Sequence, residues 1–266
     1  MDKKYEHTED DRKLAHTSWN NKAAFYDKSR PDYPKELSAT IINRANLKHG
    51  SKVLEIGAGS GKATAQFADY GFEMICIEPG ADFVKKGHET FKDKNVKFIV
   101  LPFEDYPEPA EYFDAIISAQ AFHWVSQPLG YQKCANALKN GGYLALFWHL
   151  GLFRRDVDLD KELWAIINKY SGWVSCMPEE DYEPRMESIT SKIVESGLFL
   201  KPEIIHFYLE KIFTADEYYN YMLTGGLFDL SDAKKQNCHK ELTQLAEKYN
   251  DIKRNLTFEL YLTQKC

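Results

Sequence analysis

No apolar stretch in this 266-residue chain approaches the ~18 consecutive residues of a membrane-crossing helix, and the charged start Met1-Asp2-Lys3-Lys4 has no apolar segment behind it. A cytoplasmic, unanchored protein is the expectation. Cysteine is scarce: Cys76, Cys134, Cys176, Cys238 and Cys266 form no C-x-x-C pair and are odd in number. That pattern fits a reduced compartment better than a disulfide framework. The eight histidines share no metal-ligand spacing such as H-E-x-x-H, so no catalytic metal is expected. Positive charge is also short, with 34 Lys and Arg against 40 Asp and Glu. A net charge of −6 gives no basic field to gather a polyanion, which argues against nucleic acid as a partner. Repeats and low-complexity tracts are missing too.

What is present begins with composition. At 44% apolar and 14% aromatic residues, the chain can bury a substantial core. Residues 1–15 are polar and charge-dense and read as a frayed tail. From Trp19 to Tyr33, aromatics alternate with polar residues ahead of a helix expected from Pro34 to about Asn46. Between Gly50 and Trp148, five apolar runs alternate with helical stretches, among which those near 62–70 and 128–139 are the clearest. Such alternation predicts a parallel sheet with helices on both faces. Beyond Trp148 the pattern changes to helices over Asp158–Tyr170, toward Ser196, Ala215–Leu223 and Ser231–Lys248, with late strands at 203–213 and 256–263.

The first apolar run leads into Val53-Leu54-Glu55-Ile56-Gly57-Ala58-Gly59-Ser60-Gly61-Lys62. Three glycines at alternate positions let the backbone take positive φ and let a ligand approach the main chain. A helix after Gly61 would add free N–H groups facing that ligand. The second run, Met74-Ile75-Cys76-Ile77, ends in Glu78, a carboxylate at a strand tip able to accept both hydroxyls of a ribose. Dinucleotide dehydrogenases carry G-x-G-x-x-G instead, although they use a similar acidic residue.

As E-x-G-x-G-x-G, Val53 to Gly61 resembles the first motif of class I S-adenosylmethionine-dependent methyltransferases. The later segments Phe103-Glu104-Asp105, Ser118-Ala119-Gln120-Ala121-Phe122-His123-Trp124-Val125 and Gly141-Gly142-Tyr143-Leu144-Ala145-Leu146-Phe147 resemble a small-molecule branch of that superfamily. So does Arg30-Pro31-Asp32-Tyr33-Pro34 upstream. The resemblance covers about residues 16–150 and extends more loosely to the C-terminus. It implies a Rossmann-like α/β fold whose seven-stranded, mostly parallel sheet runs 3-2-1-4-5-7-6 with helices on both faces. One domain is expected, with an N-terminal cap segment at 16–49, a cofactor-binding core at 50–150, and helical cap insertions and the last two strands within 151–266.

The resemblance also implies roles, with S-adenosyl-L-methionine as cofactor and S-adenosyl-L-homocysteine as product. Glu55, Gly57, Ala58, Gly59 and Gly61 would contact the methionine part, Glu78 and Pro79 the ribose, and Phe103 and Glu104 the adenine. Ser118, Ala119 and Gln120 would line the methionine side. Pro102 stands where the superfamily often has Asp, so Glu104 takes over the adenine contact. Arg30 pairs either with the cofactor's carboxylate or, at the surface, with Glu36 or Asp32. A cationic sulfur favours aromatic faces, which gives Phe25, Tyr26 and Trp124 a reason to border the site. Trp19 and His149 complete the expected acceptor side, with Tyr26 as a positioning residue. For a hydroxyl or amine acceptor, His123 is the best-placed general base and His149 the next; a carboxylate acceptor needs none. The alternative for His123 and Trp124 is structural packing. Tyr218 to Met222 read either as cap or as ordinary core.

The expected partner is therefore a small-molecule methyl acceptor. Two rivals share the glycine loop: an NAD(P)-dependent oxidoreductase, and a protein that binds S-adenosylmethionine without turnover.

Overall fold

The structure, a computed structural model, describes residues 29–170, 176–224 and 230–266. The apolar run Val53–Ile56 needs cover on both faces, and it forms the central strand β1 (Lys52–Ile56). β2 (Glu73–Glu78) and β4 (Phe113–Ala119) flank it in parallel, β3 (Val96–Val100) extends β2, and β5 (Leu138–Phe153) lies parallel to β4. β8 (Ile252–Gln264) is antiparallel to β5, and β7 (Glu203–Phe213) closes the edge antiparallel to β8. The order is β3-β2-β1-β4-β5-β8-β7, with the short β6 (Cys176–Pro178) added beside the end of β5. With β6 set aside, this is the expected 3-2-1-4-5-7-6 sheet.

Seven helices cover the sheet among the described residues: α1 (Lys35–Arg44), α2 (Ala81–Thr90), α3 (Leu129–Ala137), α4 (Asp158–Tyr170), α5 (Tyr182–Glu195), α6 (Ala215–Leu223) and α7 (Asp232–Tyr249). In α1, Leu37 and Ile41, four residues apart, present one apolar stripe to the sheet. Thr214 and Glu217 form a reciprocal capping box that starts α6. One core joins α1, α2, α4, α6 and α7 to Val53, Ala115, Phe147 and Phe258. A second, on the opposite face, joins α3 and α5 to Leu54, Ile116, Leu146 and Tyr261. Tyr218, Tyr221 and Met222 are buried in the first core, so they are packing residues, although Tyr221 also reaches His149.

Two expectations require correction. Residues 62–70 form no regular α-helix but two 3-10 turns, Thr64–Gln66 and Ala68–Tyr70, with Gly71 in the left-handed conformation directly after them. This turn is too short for a helix N-terminus to serve the glycine loop. The strand expected at 203–213 forms with those bounds, but the one expected at 256–263 is longer, running from Ile252 to Gln264, and the fifth strand continues past Trp148 to Phe153.

The C-terminal elements are pinned by buried ion pairs. Arg254 on β8 pairs with Asp160 on α4, donates to the Leu152 carbonyl at 2.6 Å and lies over the Phe153 ring. Arg185 on α5 pairs with Glu259 on β8, whose side chain is fully buried.

Candidate active site

At the C-terminal tips of the parallel strands, where β1 and β4 send their connections to opposite sides, the chain leaves a cavity of about 220 Å³. Its floor is the loop after β1. Gly57, Gly59 and Gly61 all take positive φ, at 68°, 56° and 97°. The hydrogen bonds Gly57 N–H and Ala58 N–H to the Ile77 carbonyl tie this loop to β2. Ala58 and Pro79 line the cavity as well.

Glu78, at the tip of β2, accepts Gly59 N–H on one carboxylate oxygen and Gly80 N–H on the other, each at 2.9 Å. Burial raises its pKa, an effect these two bonds partly offset. Each oxygen of an ionised carboxylate retains further acceptor capacity, so the group can still receive a vicinal diol. Glu55 lies deeper, 1% exposed, and accepts a hydrogen bond from Thr64 Oγ1 at 2.7 Å. Desolvation moves its pKa up to about 8, so it holds its proton at neutral pH.

Phe103 and Glu104 open a 3-10 turn beyond β3 and line the far wall. Glu104 accepts Ser126 N–H at 2.7 Å, which joins this wall to the segment carrying His123 and Trp124. Ala119, Gln120, His123, Trp124 and His149 form the remaining side. Gln120 sits at φ 59°, an uncommon conformation for this residue type, and its side chain donates to the His149 carbonyl at 3.0 Å. Ser118 departs from expectation: it is buried beneath the cavity and its hydroxyl donates to the Ile56 carbonyl, fastening β4 to β1.

Arg30 borders the cavity from the N-terminal segment and donates to Thr224 Oγ1 at 2.7 Å, with its guanidinium over the Tyr221 ring. Asp32, one of its two expected surface partners, pairs with Lys62 at 2.7 Å. Trp19, Phe25 and Tyr26 lie outside the described residues, as does the 1–15 tail. Sequence reasoning missed Tyr33, which lines the cavity and packs edge-on against Phe147 and Phe258, and Trp148, which donates to His123. The only signal for Tyr33 was its place in the Arg30–Pro34 segment; Trp148 gave none beyond ending an apolar run.

Residues 54–146 match the family described as methyltransferase domain. The yeast Saccharomyces cerevisiae has a relative named "Probable S-adenosylmethionine-dependent methyltransferase CRG1", 30% identical over 143 residues, covering 52% of this chain and 49% of the relative. Residues 54–146 therefore carry a methyltransferase domain, and the chain is similar to S-adenosylmethionine-dependent methyltransferases.

The match spans about half the length of that relative, as it does for other curated relatives. Among solved structures, the [4+2]-cyclase SpnF superposes with a TM-score of 0.58 at 15% identity, over 96% of both chains. Phosphoethanolamine N-methyltransferase 2 of Haemonchus contortus superposes with a TM-score of 0.55 at 16% identity, over 94% of this chain and 59% of that one. At such identities the likeness concerns the fold alone. Among the described residues no helix is long and apolar enough to cross a membrane, and no cluster of His, Cys, Asp and Glu is arranged to hold a metal ion.

Proposed function

We propose that this chain transfers a methyl group from S-adenosyl-L-methionine to an oxygen, nitrogen or carboxylate of a small molecule, releasing S-adenosyl-L-homocysteine. The observation that carries the reading is Glu78, anchored by the N–H of Gly59 and of Gly80 at the tip of the second strand, beside three positive-φ glycines. The donor set fits an adenosyl group. Glu78 suits the ribose diol, Phe103 and Glu104 the adenine edge, and the Glu55 to Gly61 loop with Ala119 and Gln120 the methionine end. Arg30 stands near enough to the cavity to meet a carboxylate. When bound, S-adenosylmethionine supplies a methyl group already activated by its positive sulfur, so the chain's task is to orient, desolvate and exclude water.

A net charge of −6 gives no basic field to gather a polyanion, which supports a small-molecule acceptor. Isothermal calorimetry with S-adenosylhomocysteine is the direct test. Glu78→Ala should weaken binding by about 10- to 100-fold, the loss of one or two charge-assisted hydrogen bonds. Binding of NADH with none of S-adenosylhomocysteine would overturn the proposal in favour of an oxidoreductase. A second reading, cofactor binding without methyl transfer, is kept in view because a [4+2]-cyclase shares the fold.

A further inference from the structure

On the side of the cavity formed by the ends of β4 and β5, two imidazoles stand within reach of an acceptor, and the geometry of each restricts what it can do. His149 is 4% exposed, with Nε2 at 3.2 Å from the Tyr221 hydroxyl and its ring packed on Phe258. Burial, reinforced by the positive charge of Arg30, lowers its pKa to about 3, which leaves it a feeble base at neutral pH.

His123 is constrained differently. Its Nδ1 receives the indole N–H of Trp148 at 3.1 Å. An indole nitrogen only donates, so Nδ1 must present its lone pair, and the single proton of a neutral imidazole is then on Nε2. The nitrogen that would act as base is occupied, while the other is a donor.

Trp148 is held firmly in this orientation. It is buried on β5, directly opposite Glu259 in the β5–β8 register. Tyr261 meets its ring edge-on at 5.7 Å, and the Arg185 guanidinium lies 5.3 Å from the ring centroid. Arg185 is fixed in turn by its ion pair with Glu259, which also accepts the Tyr261 hydroxyl at 3.2 Å. An indole in contact with an edge-on tyrosine ring and with a guanidinium fixed by a buried ion pair is restrained in this orientation.

We propose that His123 acts as a hydrogen-bond donor in its Nε2–H form, with Trp148 as the positioning residue that fixes it, and that the site takes an acceptor bearing a carboxylate. The proposal rests on the methyl-transfer reading above and narrows it. A hydroxyl or ammonium acceptor must lose a proton, whereas a carboxylate arrives without one. Among the described residues lining this side, His123 Nδ1 is committed and His149 is too weakly basic. A donating Nε2–H on His123 is complementary to a carboxylate oxygen of the acceptor, while Arg30 is left to the cofactor's own carboxylate.

The test uses the full chain with nitrogen-15-labelled histidine, in which magnetic resonance near neutral pH shows which ring nitrogen carries the proton; the His123 signal is assigned by its loss in His123→Gln. Nε2–H in the native protein, and loss of that preference in Trp148→Phe, are expected. A proton on Nδ1, or a tautomer unmoved by Trp148→Phe, overturns the proposal, and the first of these outcomes is read on the native protein, with His123→Gln serving only for assignment. A second arm follows labelled methyl groups from S-adenosylmethionine into a small-molecule extract. Label released by mild base, as from methyl esters, supports the carboxylate, and base-stable label overturns it. His123→Ala should slow incorporation by about 10- to 100-fold, with His123→Gln, whose amide donates from a similar position, recovering most of the rate. Equal losses in both would restore the base. Failure of S-adenosylhomocysteine to bind would instead sink the methyl-transfer reading, and binding without any incorporation would overturn both in favour of a non-catalytic binder.

Discussion

Glu55 and His149 are two titratable side chains buried against the same cavity, and burial pushes each toward its neutral form. For Glu55 the native pKa stands at about 8 against an ordinary 4.5. Between those values the native protein keeps a proton that the unfolded chain has released, so stability falls as pH rises through this window. His149, lowered from 6.5 to about 3, works in the opposite sense: below 6.5 the unfolded chain takes up a proton that the native protein refuses, and stability falls as pH drops. The two slopes oppose each other between 4.5 and 6.5, and Glu55 acts alone above that. Glu55→Gln, which keeps the shape and the neutral state, should therefore match the native protein near pH 4.5 and exceed it by about 2–4 kcal/mol at pH 8 or above. Urea unfolding at several pH values measures this, and parallel curves for the two proteins would contradict a protonated Glu55. None of this could be read from the sequence, where Glu55 is only a motif letter. Its burial follows from β2 and β4 lying on either side of it. The same holds for Trp148, whose link to His123 spans 25 positions and depends on how β5 leaves the sheet.

At the scale of the element, the glycine loop was legible because its chemistry is local: alternate glycines after an apolar strand allow positive φ, and all three adopt it. Their reasons differ, however, and only the packed structure separates them. A Cβ on Gly57 would stand 2.2 Å from the Ala121 Cβ, and one on Gly61 would stand 2.3 Å from the Phe91 ring, whereas one on Gly59 would meet nothing nearer than Phe83 at 3.8 Å. Gly57 and Gly61 are thus needed for the close approach of loop to neighbours, and Gly59 for backbone conformation and for the space above it. Gly57→Ala should cost about 3 kcal/mol or more, combining a left-handed backbone with overpacking. Gly59→Ala should cost only about 1–2 kcal/mol, with its larger effect on affinity for S-adenosylhomocysteine. Thermal unfolding beside calorimetry distinguishes them; equal thermal losses would show that both positions are governed by the backbone alone. The 62–70 segment was misread as a helix for a related reason. Its apolar spacing at Ala63, Phe67 and Tyr70 suits an α-helix, but Gly71 in the left-handed conformation and the 3-10 turns end it early.

For the whole molecule, the parallel sheet with helices on both faces was legible because βα alternation constrains connection geometry, whereas the strand order came only with the resemblance to a known family. The joining of distant segments around the cavity was not legible, since it depends on long-range contacts. Arg30, Pro31 and Tyr33 border the cavity together with strand-tip residues, and this short stretch is attached at both rims: Asp32 to Lys62 beside the glycine loop, and Arg30 to Thr224 at the end of α6. The β7 edge, with Tyr208 72% exposed and Ile212 58% exposed, shares none of these contacts. Ligand binding at one hundred times its dissociation constant stabilises the native state by about 2.7 kcal/mol, which slows by roughly a hundredfold every amide that exchanges through global unfolding. Amides that exchange through local opening slow only where the ligand closes the opening. Hydrogen exchange with saturating S-adenosylhomocysteine should therefore protect residues 30–33, 57–61, 78–80 and 119–125 together, while locally exchanging amides of the β7 edge stay unchanged. If 57–61 slowed and 30–33 did not, the N-terminal stretch would be a fixed rim that the ligand never touches, and the attachments at Lys62 and Thr224 would serve stability alone.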